Sequence, residues 1–111
     1  MKVRTKIWIN DDQGRVIFGS GRVHMLETIN RLGSMNKAAK ELKMSYRALW
    51  GRIKSTEERI GAKILESKPG GGKGRGSVLT PKGKKLLERY TQLQEKVIAV
   101  ADREFEKIFR E

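Results

Sequence analysis

Cysteine is absent from all 111 residues, which excludes disulfides and thiolate metal sites. The single histidine, His24, has no second imidazole to share a metal with and no acid or nucleophile placed near it in the pattern, so it reads as a solvent-exposed or capping residue. Long apolar runs are missing too. The longest wholly apolar stretch covers residues 97–101, far short of a membrane span, and the N-terminus lacks the apolar core of a signal peptide. A cytoplasmic protein without membrane association is expected. Acids are the scarce charge, 13 against 25 lysines and arginines. Those present form no catalytic pattern: Asp11 and Asp12 sit in a turn cluster and Glu57 and Glu58 near a helix end, where ordinary solvated charge accounts for them. No enzyme and no cofactor is expected.

What the chain has in abundance is positive charge. A formal net charge of +12 attracts phosphate polymers and gains from counterion release on binding them. The length is that of one domain, and 37% hydrophobic residues suffice for a modest core.

Residues 34–60 organise the rest. Met35, Ala38, Ala39 and Leu42 recur at helical spacing behind Ser34, a good N-cap, and their small side chains let a neighbouring helix approach. After Lys43 and Met44 a second cap residue, Ser45, starts a helix over residues 45–60, with Leu49, Ile53 and Ile60 on one face. This is a helix-turn-helix pattern. Arg47, Gly51 and Lys54 project opposite the apolar stripe. Glycine there allows close approach to bases or phosphates, and arginine can donate two parallel hydrogen bonds to a guanine edge. Tyr46 and Trp50 lie between the two faces: Trp50 either packs at the groove edge or contacts a base, and Tyr46 can reach a phosphate through its hydroxyl.

Around this motif the pattern is scaffold. Residues 3–9 alternate Val3, Thr5, Ile7 and Ile9 with Arg4, Lys6 and Trp8, and a turn cluster at 10–14 precedes Val16, Ile17 and Phe18, which predicts a β-hairpin with Trp8 partly buried at its edge. Met25, Leu26, Ile29 and Leu32 predict a helix over residues 22–32 that stops at Gly33. Ile64 and Leu65 begin a strand that Val78 and Leu79 can pair with. The loop between is a wing: Lys68, Lys73 and Arg75 lie among Gly70, Gly71, Gly72, Gly74 and Gly76, with no acid from Ser67 to Lys85. A phosphate-binding P-loop is excluded, because Lys73 is followed by Gly74 and then by a strand; a solubilising linker is the other reading of this segment. Thr80 and Pro81 start a final helix that continues to about Phe109. Along it Leu86, Tyr90, Leu93, Val97 and Val100, then Ala101, Phe105 and Ile108, form an apolar stripe that is either core or a dimer seam.

The run GSMNKAAKELKMSYRALWGRI, the GGGKGRGS loop and the LTPKGKKLLERY start of the last helix resemble the N-terminal DNA-binding domain of ModE-type molybdenum-dependent transcriptional regulators, a branch of the LysR-like winged helices. The resemblance covers nearly the whole chain. It implies a mainly α fold with small β elements, a winged helix-turn-helix with an N-terminal β-hairpin and a long C-terminal dimerisation helix. Residues 1–80 would form the DNA-binding unit, and residues 81–111, part of the same domain, the dimer seam of a homodimer. Ser34, Lys37 and Ser45 at the two helix starts join Tyr46, Arg47, Trp50, Gly51, Lys54, Lys68, Lys73 and Arg75 as candidate contacts to double-stranded DNA. Leu86, Tyr90, Leu93, Val97, Val100, Phe105 and Ile108 are the candidate seam.

Two departures stand out. The turn position where the family usually has glycine is Lys43, and the chain stops at Glu111 where full-length members continue into molybdate-binding domains. Molybdate is therefore not expected to bind directly. The expected function is sequence-specific transcriptional regulation. The alternative is an architectural or RNA-associated basic protein without sequence specificity, against which stands the concentration of cations on one helix face and one loop.

Overall fold

Side-chain oxygens sit where three of the four helices begin. In the computed structural model, which describes residues 1–68 and 76–110, the elements in order are β1 (Ile9–Asn10), β2 (Val16–Phe18), α1 (Ser20–Leu32), α2 (Met35–Glu41), α3 (Tyr46–Ile60), β3 (Leu65–Lys68), β4 (Gly76–Leu79) and α4 (Pro81–Ile108). The backbone N–H groups of Lys37, Ala48 and Gly83 donate to the hydroxyls of Ser34, Ser45 and Thr80, each satisfying a donor that the first helical turn leaves unpaired. Pro81 occupies the first turn of α4, where its missing N–H costs nothing. Gly33 and Gly61 close α1 and α3 in the left-handed conformation. Lys73, Arg75 and Gly70 to Gly74 of the expected wing lie outside the described residues.

The core joins Phe18 of β2, Val23, Leu26 and Ile29 of α1, Ala38 and Ala39 of α2, and Leu49 and Ile53 of α3 to Ile64, Leu79 and Tyr90. The two alanines let α2 pack closely between α1 and α3. β3 and β4 pair antiparallel, Leu65 opposite Leu79 and Lys68 opposite Gly76. The backbone N–H of Ser77 donates to the carbonyl of Gly33, so the root of this hairpin is pinned to the end of α1. The result is mainly helical with two small antiparallel hairpins, as expected.

Five expectations need correction. Only Ile9 and Asn10 of the first segment pair with β2, because β2 is three residues long before α1 begins. Residues 3–8 keep the alternation of half-buried Val3, Thr5 and Ile7 with exposed Arg4 and Lys6, and α4 holds them instead: the Tyr90 hydroxyl donates to the Ile7 carbonyl. Trp8 is 63% exposed rather than partly buried; one ring edge lies over Gly19. Tyr90 is 1% exposed and meets Phe18 edge to face at 5.3 Å, so it closes the chain's own core and does not belong to a seam. Leu86 likewise packs against that core. Asp11 is more than solvated turn charge, because its carboxylate accepts from the backbone N–H groups of Gln13 and Arg15 and from the Arg15 guanidinium. The Arg15 backbone N–H first, then its side chain and the Gln13 N–H, hold this carboxyl below its ordinary value. The contribution of that turn is therefore present at neutral pH and fades as acidification passes the lowered value.

Lys43 adopts φ 56°, the left-handed region, in the turn between α2 and α3. A side chain there costs about 1–2 kcal/mol, and glycine returns part of that gain through extra freedom in the unfolded chain. Lys43→Gly should therefore raise stability by about 0.5–1 kcal/mol, read as a higher urea midpoint at unchanged m-value. An unchanged or lower midpoint would show that the turn is not strained.

Candidate nucleic-acid interface

Three sides of α3 do different things. Leu49, Ile53 and Thr56 face the core. Arg47 and Gly51 are exposed on the far side, and a Cβ built on Gly51 would meet nothing within 4 Å. Open space, not internal packing, is thus what this glycine adjoins, which suits close approach by a ligand.

The third side faces the β3–β4 hairpin. There Tyr46 and Trp50, 48% and 49% exposed, help line a shallow groove of about 340 Å³ with Met35, Ile53 and Leu65. Trp50 is a wall of this groove and not a core residue. Lys54 Nζ lies 5.7 Å from its ring centroid, within cation–π range, and 3.6 Å from Glu57 Oε1. Lys54 is therefore half-buried and partly neutralised, unlike Arg47.

Glu57 overturns its reading as solvated charge. Its Oε2 accepts from the backbone N–H groups of Ile64 and Leu65, at 2.8 and 3.3 Å, tying the C-terminal half of α3 to the start of β3. Glu57 is instead a brace between α3 and the β3–β4 hairpin.

Of the other expected contacts, Ser34 and Ser45 have their hydroxyls engaged as caps, Lys37 is exposed in the first turn of α2, and Lys68 is exposed at the end of β3. Lys73 and Arg75 fall outside the described residues. α2 and α3 pack against each other, and β4 against α1, so the described elements carrying these residues form one connected body.

Sequence reasoning missed a cluster behind α3. Arg22 of α1 donates through Nη1 to the Arg52 carbonyl at 2.7 Å and to Thr56 Oγ1 at 2.6 Å. Thr56 is fully buried, with the carbonyls of Ile17 and Arg52 both within reach of its hydroxyl proton. Arg59 donates to the Val16 carbonyl. Burial, then the charges of Arg52 and Arg59, lower the pKa of Arg22 from its ordinary value. Among the described residues no group of three or more His, Asp or Glu side chains could hold a metal, and no helix is long and apolar enough to cross a membrane.

Comparison with known proteins agrees with this geometry. The family model of bacterial regulatory helix-turn-helix proteins, lysR family, matches residues 21–84. The molybdenum-pterin-binding protein MopB of Rhodobacter capsulatus is 38% identical over 76 residues, 68% of this chain and 28% of that protein. The transcriptional regulator ModE of Haemophilus influenzae is 36% identical over 73 residues, 66% of this chain and 29% of that protein. The chain thus spans under a third of the length of these relatives. Among solved structures, the CbnR DBD–DNA complex superposes with a TM-score of 0.58 at 24% identity, covering 79% of this chain and 95% of that one, a likeness of fold.

Proposed function

The chain belongs to the lysR family of bacterial regulatory helix-turn-helix proteins, and from that premise we propose that it is a sequence-specific DNA-binding module of a transcriptional regulator, acting in the cytoplasm as a homodimer. The DNA-binding unit lies within residues 1–80, and residues 81–111, which contain the whole of α4, carry the dimer seam on the turns beyond Tyr90. The observation that carries the reading is the outward face of α3, where an exposed Arg47 and an open Gly51 stand between the β3–β4 hairpin on one flank and an arginine cluster on the other. A helix about 10–12 Å across fits a major groove about 12 Å wide. In that pose Arg47 reads a base edge, Tyr46 and Trp50 meet the groove wall, and Lys37, Lys54 and Lys68, with Lys73 and Arg75 of the wing, meet phosphates.

Arg47→Ala should weaken binding to the preferred site by about 1–3 kcal/mol and relax discrimination at one base position, since alanine cannot donate the paired hydrogen bonds to guanine. The check is affinity across a set of single base-pair substitutions for both proteins. A flat profile for the unsubstituted protein would contradict sequence reading altogether; uniform weakening by the variant would assign Arg47 to a phosphate. An architectural or RNA-associated role would give that flat profile and is not favoured by membership of a family of regulatory proteins.

A further inference from the structure

The arginine cluster behind α3 has a cost that the fold alone does not account for. Three guanidinium groups come from α1 and from two turns of α3, and among the described residues none of them is paired with a carboxylate. Burial, and after it the neighbouring charges of Arg52 and Arg59, lower the pKa of Arg22 from its ordinary value. A packing role needs hydrogen-bond donors and no surplus of like charge. Arg22 and Arg59 satisfy the carbonyls of Arg52 and Val16, yet Arg52 itself is exposed. The first turn of α1, which carries Arg22, holds no acid.

Placement on the helix points the same way. At about 100° per residue, Arg52 and Arg59, seven residues apart, lie roughly 20° from each other on the helix and nearly opposite Trp50 and the wing. A helix seated in a major groove has one phosphate backbone along each flank. The wing flank meets one strand, and the Arg52 and Arg59 flank meets the other. We propose that Arg52 and Arg59 form a phosphate clamp that grips the DNA strand on the side of α3 away from the wing, Arg22 and Thr56 fixing the α3 backbone at the Arg52 carbonyl and the Val16 carbonyl orienting Arg59. The inference rests on the DNA-binding reading above. Its ligand is the backbone of the same duplex, so it contributes affinity and orientation without base preference. Arg22 is a positioning residue here, because its Nη1 is spent on the Arg52 carbonyl and the Thr56 hydroxyl.

The test uses the full chain and two duplexes, one carrying its preferred site and one unrelated, with affinities measured from low to moderate salt. Arg52→Gln and Arg59→Gln should each lower affinity for both duplexes alike, leave their ratio unchanged, and flatten the slope of log K against log salt by about 0.9 for each phosphate no longer neutralised. Arg52→Lys should restore most of the slope. Lys6→Gln, which removes the same charge from an exposed position of the N-terminal segment outside both the named contacts and the seam, should leave it unchanged. Circular dichroism guards against unfolding, and Arg52, whose exposed side chain braces no other element, is the variant on which the outcome turns. An unaltered slope in folded Arg52→Gln, or an equal change in Lys6→Gln, overturns the clamp. Failure of the unsubstituted protein to prefer any duplex is a different result and strikes the DNA-reading proposal instead.

Discussion

Gly83→Ala is expected to lower the melting temperature by about 10 °C. A Cβ built on Gly83 would lie 2.4 Å from the carbonyl oxygen of Ile64 and 3.3 Å from that residue's carbonyl carbon and Cα. The obstruction is backbone, so no rotamer change can relieve it. Relief would require α4 to move away from the root of β3, where Thr80 also donates its N–H to Ile64 and its hydroxyl to Lys63. Overpacking of this kind costs about 1–3 kcal/mol, and more when the backbone must shift. Alanine's helical preference over glycine returns about 1 kcal/mol, which is too little to win. Gly51→Ala is the matched control: nothing lies near its Cβ, so it should be neutral or slightly stabilising. Thermal melts at one protein concentration check both. A Gly83→Ala protein as stable as its parent would show that α4 does not approach β3 this closely.

The second large effect concerns the outer part of α4. The helix is 28 residues, about 42 Å at 1.5 Å per residue, and its turns beyond Tyr90 leave Leu93, Ile98, Val100, Ile108 and Phe109 exposed. Val97 and Phe105 are half-buried, Phe105 stacked on Phe109, the residue that caps the helix. Replacing Leu93 and Val100 by aspartate should convert a dimer to monomers in sedimentation while preserving helical content, since neither residue belongs to the core. Affinity for a two-half-site operator should fall by about 10²–10⁴, the avidity that linking two binding modules supplies. A persistent dimer, or undiminished operator binding by a monomer, would contradict the seam.

Local signals are legible in the amino-acid sequence and long-range ones are not. Ser34, Ser45, Thr80, Gly33 and Gly61 each act within a few residues of themselves, and the helices begin and end at them as expected. The apolar periodicities of α1, α2 and α3 likewise mark the faces that are buried. Thr56 shares a helical stripe with Leu49 and Ile53, but its partners at Ile17 and Arg22 are 39 and 34 residues away, and no spacing rule reaches them. Glu57 reads as surface charge because the N–H groups it caps belong to the next loop and strand. Tyr90 fits a seam by spacing alone. Its burial follows from where β2 brings Phe18, a tertiary fact. Alternation in residues 3–8 is real, but a strand also needs a partner, and β2 is too short to supply one. Of the candidate interface, Arg47 and Gly51 stand exposed on the outer side of α3 as expected, whereas the Arg22, Arg52 and Arg59 cluster emerges only once α1 packs behind α3.

The most direct measurement is to select, from fragmented genomic DNA, the pieces that the purified protein retains, and then to compete the selected site against an unrelated duplex at fixed salt near 0.15 M. A dimeric reader of sequence should yield one recurring motif, with half-sites related by two-fold symmetry, preferred over unrelated duplex by roughly 10³-fold or more. Retention of fragments without a shared motif, at affinities that differ little between duplexes and fall together with salt, would contradict it.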